Sequence, residues 1–195
     1  MGTRRPSRAA ARMAASGWAR SMLSESSVIY LDTETTGIGS RAEIVDIGIL
    51  DGAGRTLFES LVRPSGSIPA DAVAIHGISD AMVAGAPGWP AVWPLVSRIL
   101  LDGAVVVYNA EFDLQMVNQM NARHGLPLFP ARWHCAMLRY AEFAGEWNER
   151  YGNFRWHKLD AALAAFGLAP VSHRAAADAA ACRLIVHAMA GERSA

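Results

Sequence analysis

The chain has 195 residues, a formal net charge of zero and 52% hydrophobic residues. This composition fits one domain with a sizeable core and excludes a uniformly basic, duplex-binding protein. Since no apolar run approaches the roughly 18–20 residues that cross a bilayer, we expect no membrane association. Cys135 and Cys182 are the only cysteines, too few for a disulfide framework and typical of a cytoplasmic protein.

The first 27 residues differ in composition from the rest. They hold five Arg, many Ala and Ser, and one acid, Glu25. They contain no apolar core of a secretory signal, although their composition is similar to that of an organellar transit peptide. The alternatives are an unstructured arm or a start codon placed too early, with Met13 or Met22 as the true start. We predict a flexible arm over residues 1–27 and a folded domain over 28–191.

The folded domain begins with three predicted strands, at 28–34, 44–50 and 57–64. The sequence DGAG at 51–54 is typical of a hairpin turn, so the three strands form an antiparallel meander. Helix and strand then alternate. Strands are predicted at 104–109 and 132–137, and helices at 90–101, 111–124, from about 138, at 159–166 and at 174–190. This order predicts an α/β fold with a mixed five-stranded sheet flanked by helices.

The stretch YLDTETTG, at 30–37, places two acids at the end of an apolar strand. Because alternate strand residues share a face, Asp32 and Glu34 lie side by side. Two adjacent carboxylates next to apolar sequence repel each other and lose hydration. The pattern therefore indicates a positive partner.

Two further acids lie on the apolar stripes of their own predicted helices. The residues three, four and seven positions after Asp113 are apolar, and the same holds for Asp178. Asp is rarely buried unless it is paired or binds a metal. The helix of Asp113 follows a buried strand directly, so its first turn lies at the sheet edge where ligands bind. His173 can approach Asp178 only from a loop before the last helix, since five residues do not share a helix face.

Each acid also has a structural interpretation when it is taken alone. Asp32 could cap a turn, Asp113 could pair with an Arg, and Asp178 could be a solvated helix residue. Together, however, the four acids lie at element ends along one plausible sheet edge, and the sequence shows no obvious set of four Arg partners. Mg²⁺ prefers oxygen ligands, so a divalent cation explains the cluster most simply.

Three motifs carry a family resemblance. LDTETTG, VVYNAEFD and SHRAAADA resemble the exonuclease motifs of the DEDDh, or DnaQ-like, 3′–5′ exonucleases. That family includes RNase T and the proofreading epsilon subunit of bacterial DNA polymerase III. The resemblance spans Val28 to Ala190. The related DEDDy group has Tyr where this chain has Arg174, so the His variant is the better match.

The resemblance implies an RNase H-like fold and hydrolysis with two divalent cations, Mg²⁺ or Mn²⁺. It assigns His173 as the general base and makes the four acids both catalytic residues and metal ligands: Asp32, Glu34, Asp113 and Asp178. It also implies substrate contacts, which are Thr35, Asn109, Phe112 and, in the loop AIHGI, His76. His76 could instead be a loop histidine without a role. Tyr108 stands where many members have His, which we expect to change packing and not chemistry.

The implied enzyme is a bacterial, cytoplasmic exonuclease with its domain over residues 28–191. It would act on 3′ ends of single-stranded or frayed DNA, release nucleoside 5′-monophosphates and serve proofreading. One alternative is an RNA-trimming exoribonuclease with the same motifs. Another is a polymerase-associated subunit in which binding dominates, with a DNA polymerase or sliding clamp as partner.

Two sequence features bear on partners. The stretch GLPLF, at 125–129, faintly resembles a sliding-clamp peptide, but it lacks the Gln and lies within the domain, which favours an ordinary loop with apolar anchors. Four aromatic residues could either stack on bases or serve packing. These are Trp133, Trp147, Tyr151 and Trp156.

Overall fold

The computed structural model describes residues 6–101, 103–130 and 133–191, and a five-stranded sheet forms its centre. The strands are β1 (Val28–Thr35), β2 (Ile44–Asp51), β3 (Thr56–Leu61), β4 (Ala104–Val107) and β5 (Trp133–Cys135). Their spatial order is β3-β2-β1-β4-β5. The first three strands are antiparallel, while β4 and β5 run parallel to β1. The predicted mixed sheet is confirmed.

Helices cover the sheet on both faces. They are α1 (Arg8–Ser24), α2 (Ala70–His76), α3 (Asp80–Val83), α4 (Trp89–Leu101), α5 (Ala110–Arg123), α6 (Ala136–Ala144), α7 (Leu159–Ala165) and α8 (Ala175–Ala190). The sequence missed a small hairpin of β6 (Trp147–Asn148) and β7 (Asn153–Phe154). Two-residue strands are too short to show an alternating pattern.

The first residues of β1 are all apolar because alternate side chains of the strand face two different cores. Leu31 belongs to the core on the face covered by α4 and α5, and Tyr30 to the core beneath α1, α6 and α8. A strand buried on both faces is apolar at every position. By the same alternation, Asp32 continues the α8 face and Thr33 continues the α5 face.

The structure corrects the predicted flexible arm for residues 8–24, which form α1. Ser7 caps this helix by accepting a hydrogen bond from the Ala10 N–H at 3.1 Å. Ala11, Ala15 and Ala19 form one buried stripe against α6 and α8. Ala is the strongest helix former, and residues four apart share a helix face. The Ala-rich composition that suggested an arm instead gives a helix with a narrow packing stripe.

The GLPLF segment lies in the structure as a loop with apolar anchors. Phe129 is buried and meets Trp93 edge-on, with 5.5 Å between ring centroids. Its backbone N–H donates to the Asn118 side chain at 2.8 Å. A clamp-binding peptide needs its aromatic anchor exposed, so this geometry favours the loop interpretation. Within the described ranges, every helix is too short or too polar to span a membrane.

Candidate active site

Three of the predicted acids converge at the end of β1. Ligand oxygens of Asp32, Glu34 and Asp178 all lie within 4.8 Å of one another. Asp32 and Glu34 project from the same face of the strand, and Asp178 projects from the first turns of α8, which packs on that face. The antiparallel pair of β1 and β2 and the helix above it therefore build this carboxylate cluster.

Gly48 allows α8 to come this close. It faces Asp32 in the register of β1 and β2. A β-carbon at Gly48 would clash with the backbone of Ala176. A glycine inside a strand often marks a close backbone approach, so Gly48 was a signal in the sequence that another segment packs closely on β2 here.

Asp113 lies in the same cleft but outside the three-carboxylate cluster. It is buried in the first turn of α5, and the Thr33 hydroxyl donates to its Oδ1 at 2.7 Å. Thr33 projects to the α5 face, between the two acids of β1. The hydroxyl thus holds the Asp113 carboxylate beside the cluster from a position that the sequence analysis overlooked.

His173 lies on the loop before α8, as its spacing from Asp178 predicts. Its Nδ1 is 3.7 Å from Asp178 Oδ2, and 47% of its side-chain surface is exposed. This separation is longer than a hydrogen bond. The imidazole is therefore next to the cluster and open to solvent.

Burial is the main influence on the protonation of these acids. It raises the pKa of Asp32 well above its usual range, and the neighbouring carboxylates raise it further. Burial also raises the pKa of Glu34 to about 8, that of Asp113 to about 7 and that of Asp178 to about 6. Thr33 partly offsets the pKa shift of Asp113, and His173 partly offsets that of Asp178. The raised pKa values mean that burial favours the protonated form of these acids.

An open cleft of about 450 Å³ contains these residues. Its lining includes the four predicted acids, His173 and two predicted substrate contacts, Asn109 and Phe112. It also includes residues that the sequence analysis did not select: Ile75, Tyr108, Lys158, Leu159 and Asp160. The cleft therefore offers one positive side chain and several apolar surfaces to a ligand.

The other two predicted substrate contacts lie beside the cleft. The buried His76 ring accepts the Ile78 N–H at Nδ1, 3.0 Å away, so Nε2 carries the proton that faces the Thr35 carbonyl at 3.3 Å. Burial lowers the pKa of His76, which agrees with a neutral ring. The Thr35 hydroxyl donates to the Gly37 carbonyl at 2.7 Å. His76 is the last residue of α2 and not a loop residue as predicted, and its bond to Thr35 supports a role in holding the end of the helix from which Ile75 reaches the cleft.

An ion pair between the partly exposed Arg174 and the buried Asp46 anchors the start of α8. Arg174 Nε donates to Asp46 Oδ2 at 2.7 Å, and the Ala175 N–H lies 3.3 Å from the same oxygen. Asp46 is fully buried on β2 and therefore takes the place of a helix cap. The sequence analysis did not select Asp46, although an acid inside an apolar strand was a visible signal.

The carboxylate cluster fits a divalent cation. Among the described residues, Lys and Arg side chains form no ion pair with Asp32, Glu34 or Asp178. In the same part of the chain, no group hydrogen-bonds the buried Oδ1 of Asp178. An oxygen-only donor set suits Mg²⁺ or Mn²⁺.

Comparisons with known proteins agree with this site. A family model described as Exonuclease, of the RNase T type, matches residues 29–185. An uncharacterized exonuclease of Escherichia phage 186, CP81, is 41% identical over 164 residues, which are 80% of this chain and 82% of that protein. The DNA polymerase III epsilon subunit of Rickettsia felis is 32% identical over 96 residues, which are 46% of this chain and 42% of the subunit.

A solved structure adds the fold. Exonuclease X in complex with 5′ overhanging duplex DNA superposes with a TM-score of 0.60 and 28% identity, covering 85% of this chain and 94% of that one. The RNase H-like architecture expected from the motifs is thereby confirmed. With its three motifs, its sheet order and its matched family model, the chain belongs to the exonuclease family of the RNase T and DnaQ type.

Proposed function

We propose that this protein is a metal-dependent 3′–5′ exonuclease that acts on single-stranded or frayed DNA and releases nucleoside 5′-monophosphates. The observation that carries the proposal is the convergence of Asp32, Glu34 and Asp178 within 4.8 Å, with His173 Nδ1 at 3.7 Å from Asp178. The three acids and His173 line the same open cleft, in which we place the end of a nucleic-acid strand. Clustered acids that are free to bind cations, next to an accessible imidazole, provide the groups that metal-dependent phosphodiester hydrolysis uses.

The acids are proposed to hold two divalent cations, Mg²⁺ or Mn²⁺. Asp32, Glu34 and Asp178 would provide ligands from one cluster, and Asp113, held by Thr33, would supply a further carboxylate from the same cleft. Bound cations would supply Lewis acidity and a lowered pKa for the attacking water. The protein itself contributes fixed oxygen donors on three rigid elements, β1, α5 and α8.

His173 is proposed to take the proton of the attacking water. Its Nδ1 faces Asp178, which leaves Nε2 for the water. Proton transfer by a positioned side chain typically contributes about 10²–10⁴ in rate. The exposed loop position allows the imidazole to exchange that proton with solvent.

Apolar side chains in the cleft favour an unpaired strand end. Ile75 is exposed and Phe112 is half-buried, and both line the cleft. A terminal base must leave its stack to reach the acids, which costs least at single-stranded, frayed or mismatched ends. This selectivity suits proofreading, and the similarity to a DNA polymerase III epsilon subunit supports a polymerase partner. The intact acid set argues against a subunit in which binding alone remains.

The test is digestion of matched 5′-labelled single-stranded DNA and RNA. The proposal expects a ladder that shortens from the 3′ end, mononucleotide products, faster loss of DNA and no reaction in EDTA until Mg²⁺ or Mn²⁺ is added. A 3′-phosphate should slow the reaction, because the site receives a free 3′ hydroxyl. Cutting of a circular single strand, or full activity in chelator, would contradict the proposal, and faster digestion of RNA would favour the exoribonuclease alternative.

A further inference from the structure

The hairpin of β6 and β7, taken here with the segment 155–158 that follows it, carries exposed aromatic rings close to the cleft. Tyr151 is 66% exposed and Trp156 is 57% exposed. With Arg155 they line a second cavity of about 390 Å³. A contiguous exposed apolar patch often belongs to a binding site. By contrast, Trp133 and Trp147 are half-buried and serve packing.

The chain leads directly from these rings to the cleft. In segment 155–158, Trp156 and Lys158 are exposed, whereas His157 is half-buried and meets the Tyr140 ring edge-on at 5.4 Å. Trp156 and Lys158 therefore both face outward from the domain. Lys158 lines the active-site cleft. Two extended residues span at most about 7 Å, so Trp156 lies at the edge of the cleft.

The segment is held in place before any ligand binds. The Arg155 N–H donates to the Glu146 carbonyl at 2.7 Å. The Tyr108 hydroxyl donates to the His157 carbonyl at 3.1 Å. A surface that is already ordered loses little conformational entropy on binding. Tyr108 stands where many family members have His, and its bond to the His157 carbonyl gives it a function in packing.

Positive side chains accompany the rings. The Arg150 guanidinium lies 5.4 Å from the centroid of the Tyr151 ring, and Arg155 and Lys158 are exposed. The hairpin region also contains two acids: Glu149 accepts a hydrogen bond from Trp147, and Glu146 lies 3.8 Å from His157. A surface with exposed rings beside cations suits single-stranded nucleic acid, because the bases stack on the rings and the phosphates contact the cations.

We propose that this hairpin is a second binding site, a platform for the nucleotides on the 5′ side of the terminal nucleotide in the cleft. The proposal rests on the proposed exonuclease function. If the 3′ end of a strand lies among the acids, the rest of the strand extends past Lys158. Bases stack on Trp156 and Tyr151, and phosphates contact Arg155 and Lys158. Strands that reach the hairpin are then bound more tightly than a trinucleotide.

The test compares the affinities of a trinucleotide and of a strand of about 12 nucleotides, measured by fluorescence anisotropy in EDTA so that no hydrolysis occurs. Trp156→Ala and Tyr151→Ala are each expected to lower the affinity for the longer strand about 5-fold to 100-fold. The ratio of long-strand to short-strand affinity should fall with it. Leu95→Ala is the matched control, because Leu95 is also 57% exposed but lies on α4, across the sheet. Melting temperatures verify that all three variants are folded.

Salt dependence tests the cations. For Arg155→Ala, the slope of log affinity against log salt concentration should fall by about 0.7, whereas Arg98→Ala on α4 should keep the wild-type slope. The platform is refuted if the hairpin variants bind the longer strand with wild-type affinity. It is also refuted if they lower the affinities for the long and the short strand by the same factor. Failure of the exonuclease proposal is a separate outcome, recognised when the wild-type protein with Mg²⁺ leaves both strands intact.

Discussion

Two acids that face each other across β1 and β2, one half-buried and one fully buried, have opposite environments. Glu34 and Asp46 are cross-strand partners. Asp46 accepts hydrogen bonds from Arg174 and from the first N–H of α8. Glu34 instead meets Asp32 and Asp178. The chain thus supplies a cation to one carboxylate, while the described residues provide no ion pair for the other.

This difference separates a structural acid, Asp46, from the acids that we propose to act in catalysis. A buried charge is tolerated when it is paired and hydrogen-bonded, and the Asp46 pair meets that condition at Oδ2. The cluster around Glu34 instead has raised pKa values. Strongly perturbed carboxyl groups in a cleft are candidates for function. Substitutions at the two sites should therefore have opposite effects on stability and activity.

The largest effect is expected for Asp32→Ala. Loss of a cation ligand removes several kcal/mol of transition-state stabilisation, so activity on single-stranded DNA should fall about 10³-fold or more. In EDTA the variant should melt at or above the wild-type temperature, because repulsion with Glu34 is relieved. Glu111→Ala is the control, since Glu111 is an exposed acid on the same helix as Asp113. An unfolded Asp32→Ala protein would show that Asp32 is a structural acid.

Arg174→Ala tests the other side of the comparison. It leaves the fully buried Asp46 without its cation, and such a loss destabilises a protein by about 3 kcal/mol or more. Because Arg174 also fixes the loop of His173, the value of kcat should fall while KM changes little. Chemical denaturation and single-strand kinetics measure both effects, with Arg98→Ala as an exposed control. A variant as stable as wild type would remove the assigned anchoring role of the pair.

His173→Ala should separate catalysis from stability. The side chain is exposed on a loop, so the melting temperature should stay within a few degrees. We expect kcat to fall about 10²-fold with KM nearly unchanged, since the proton moves only in the transition state. Steady-state kinetics on single-stranded DNA decide the outcome. Near-full kcat would mean that the cations activate water without this imidazole.

The sequence predicted what depends on local pattern. Alternation in β1 predicted that Asp32 and Glu34 share a face, and the helical stripes marked Asp113 and Asp178 as acids in apolar surroundings. The loop position of His173 followed from its spacing. These inferences needed only the periods of strand and helix.

The features that the sequence analysis missed depend on pairing between distant segments. The Asp46–Arg174 bond joins residues 128 positions apart, and the Thr33–Asp113 bond joins residues 80 apart. No local pattern determines such partners. The helix α1 was missed for another reason, because its stripe of Ala was taken as a compositional bias. The hairpin aromatics were noticed, but only their exposure distinguishes Tyr151 and Trp156 from packing residues.

The smallest expected effect is the pH dependence of stability without metal. Burial raises the pKa of Glu34 to about 8 and that of Asp178 to about 6, from ordinary values of 4.5 and 3.8. Between about pH 4 and pH 8 the folded protein thus binds more protons than the unfolded chain, and stability falls as pH rises through these pKa values. In EDTA, the melting temperature should drop by several degrees between pH 5 and pH 8, and Mg²⁺ or Mn²⁺ should reverse the drop at pH 8. Asp32→Asn should flatten this dependence, whereas Asp71→Asn, at an exposed acid on α2, should retain it. A wild-type melting temperature that is constant or rises over this range would mean that the cluster is already neutralised within the protein, like Asp46.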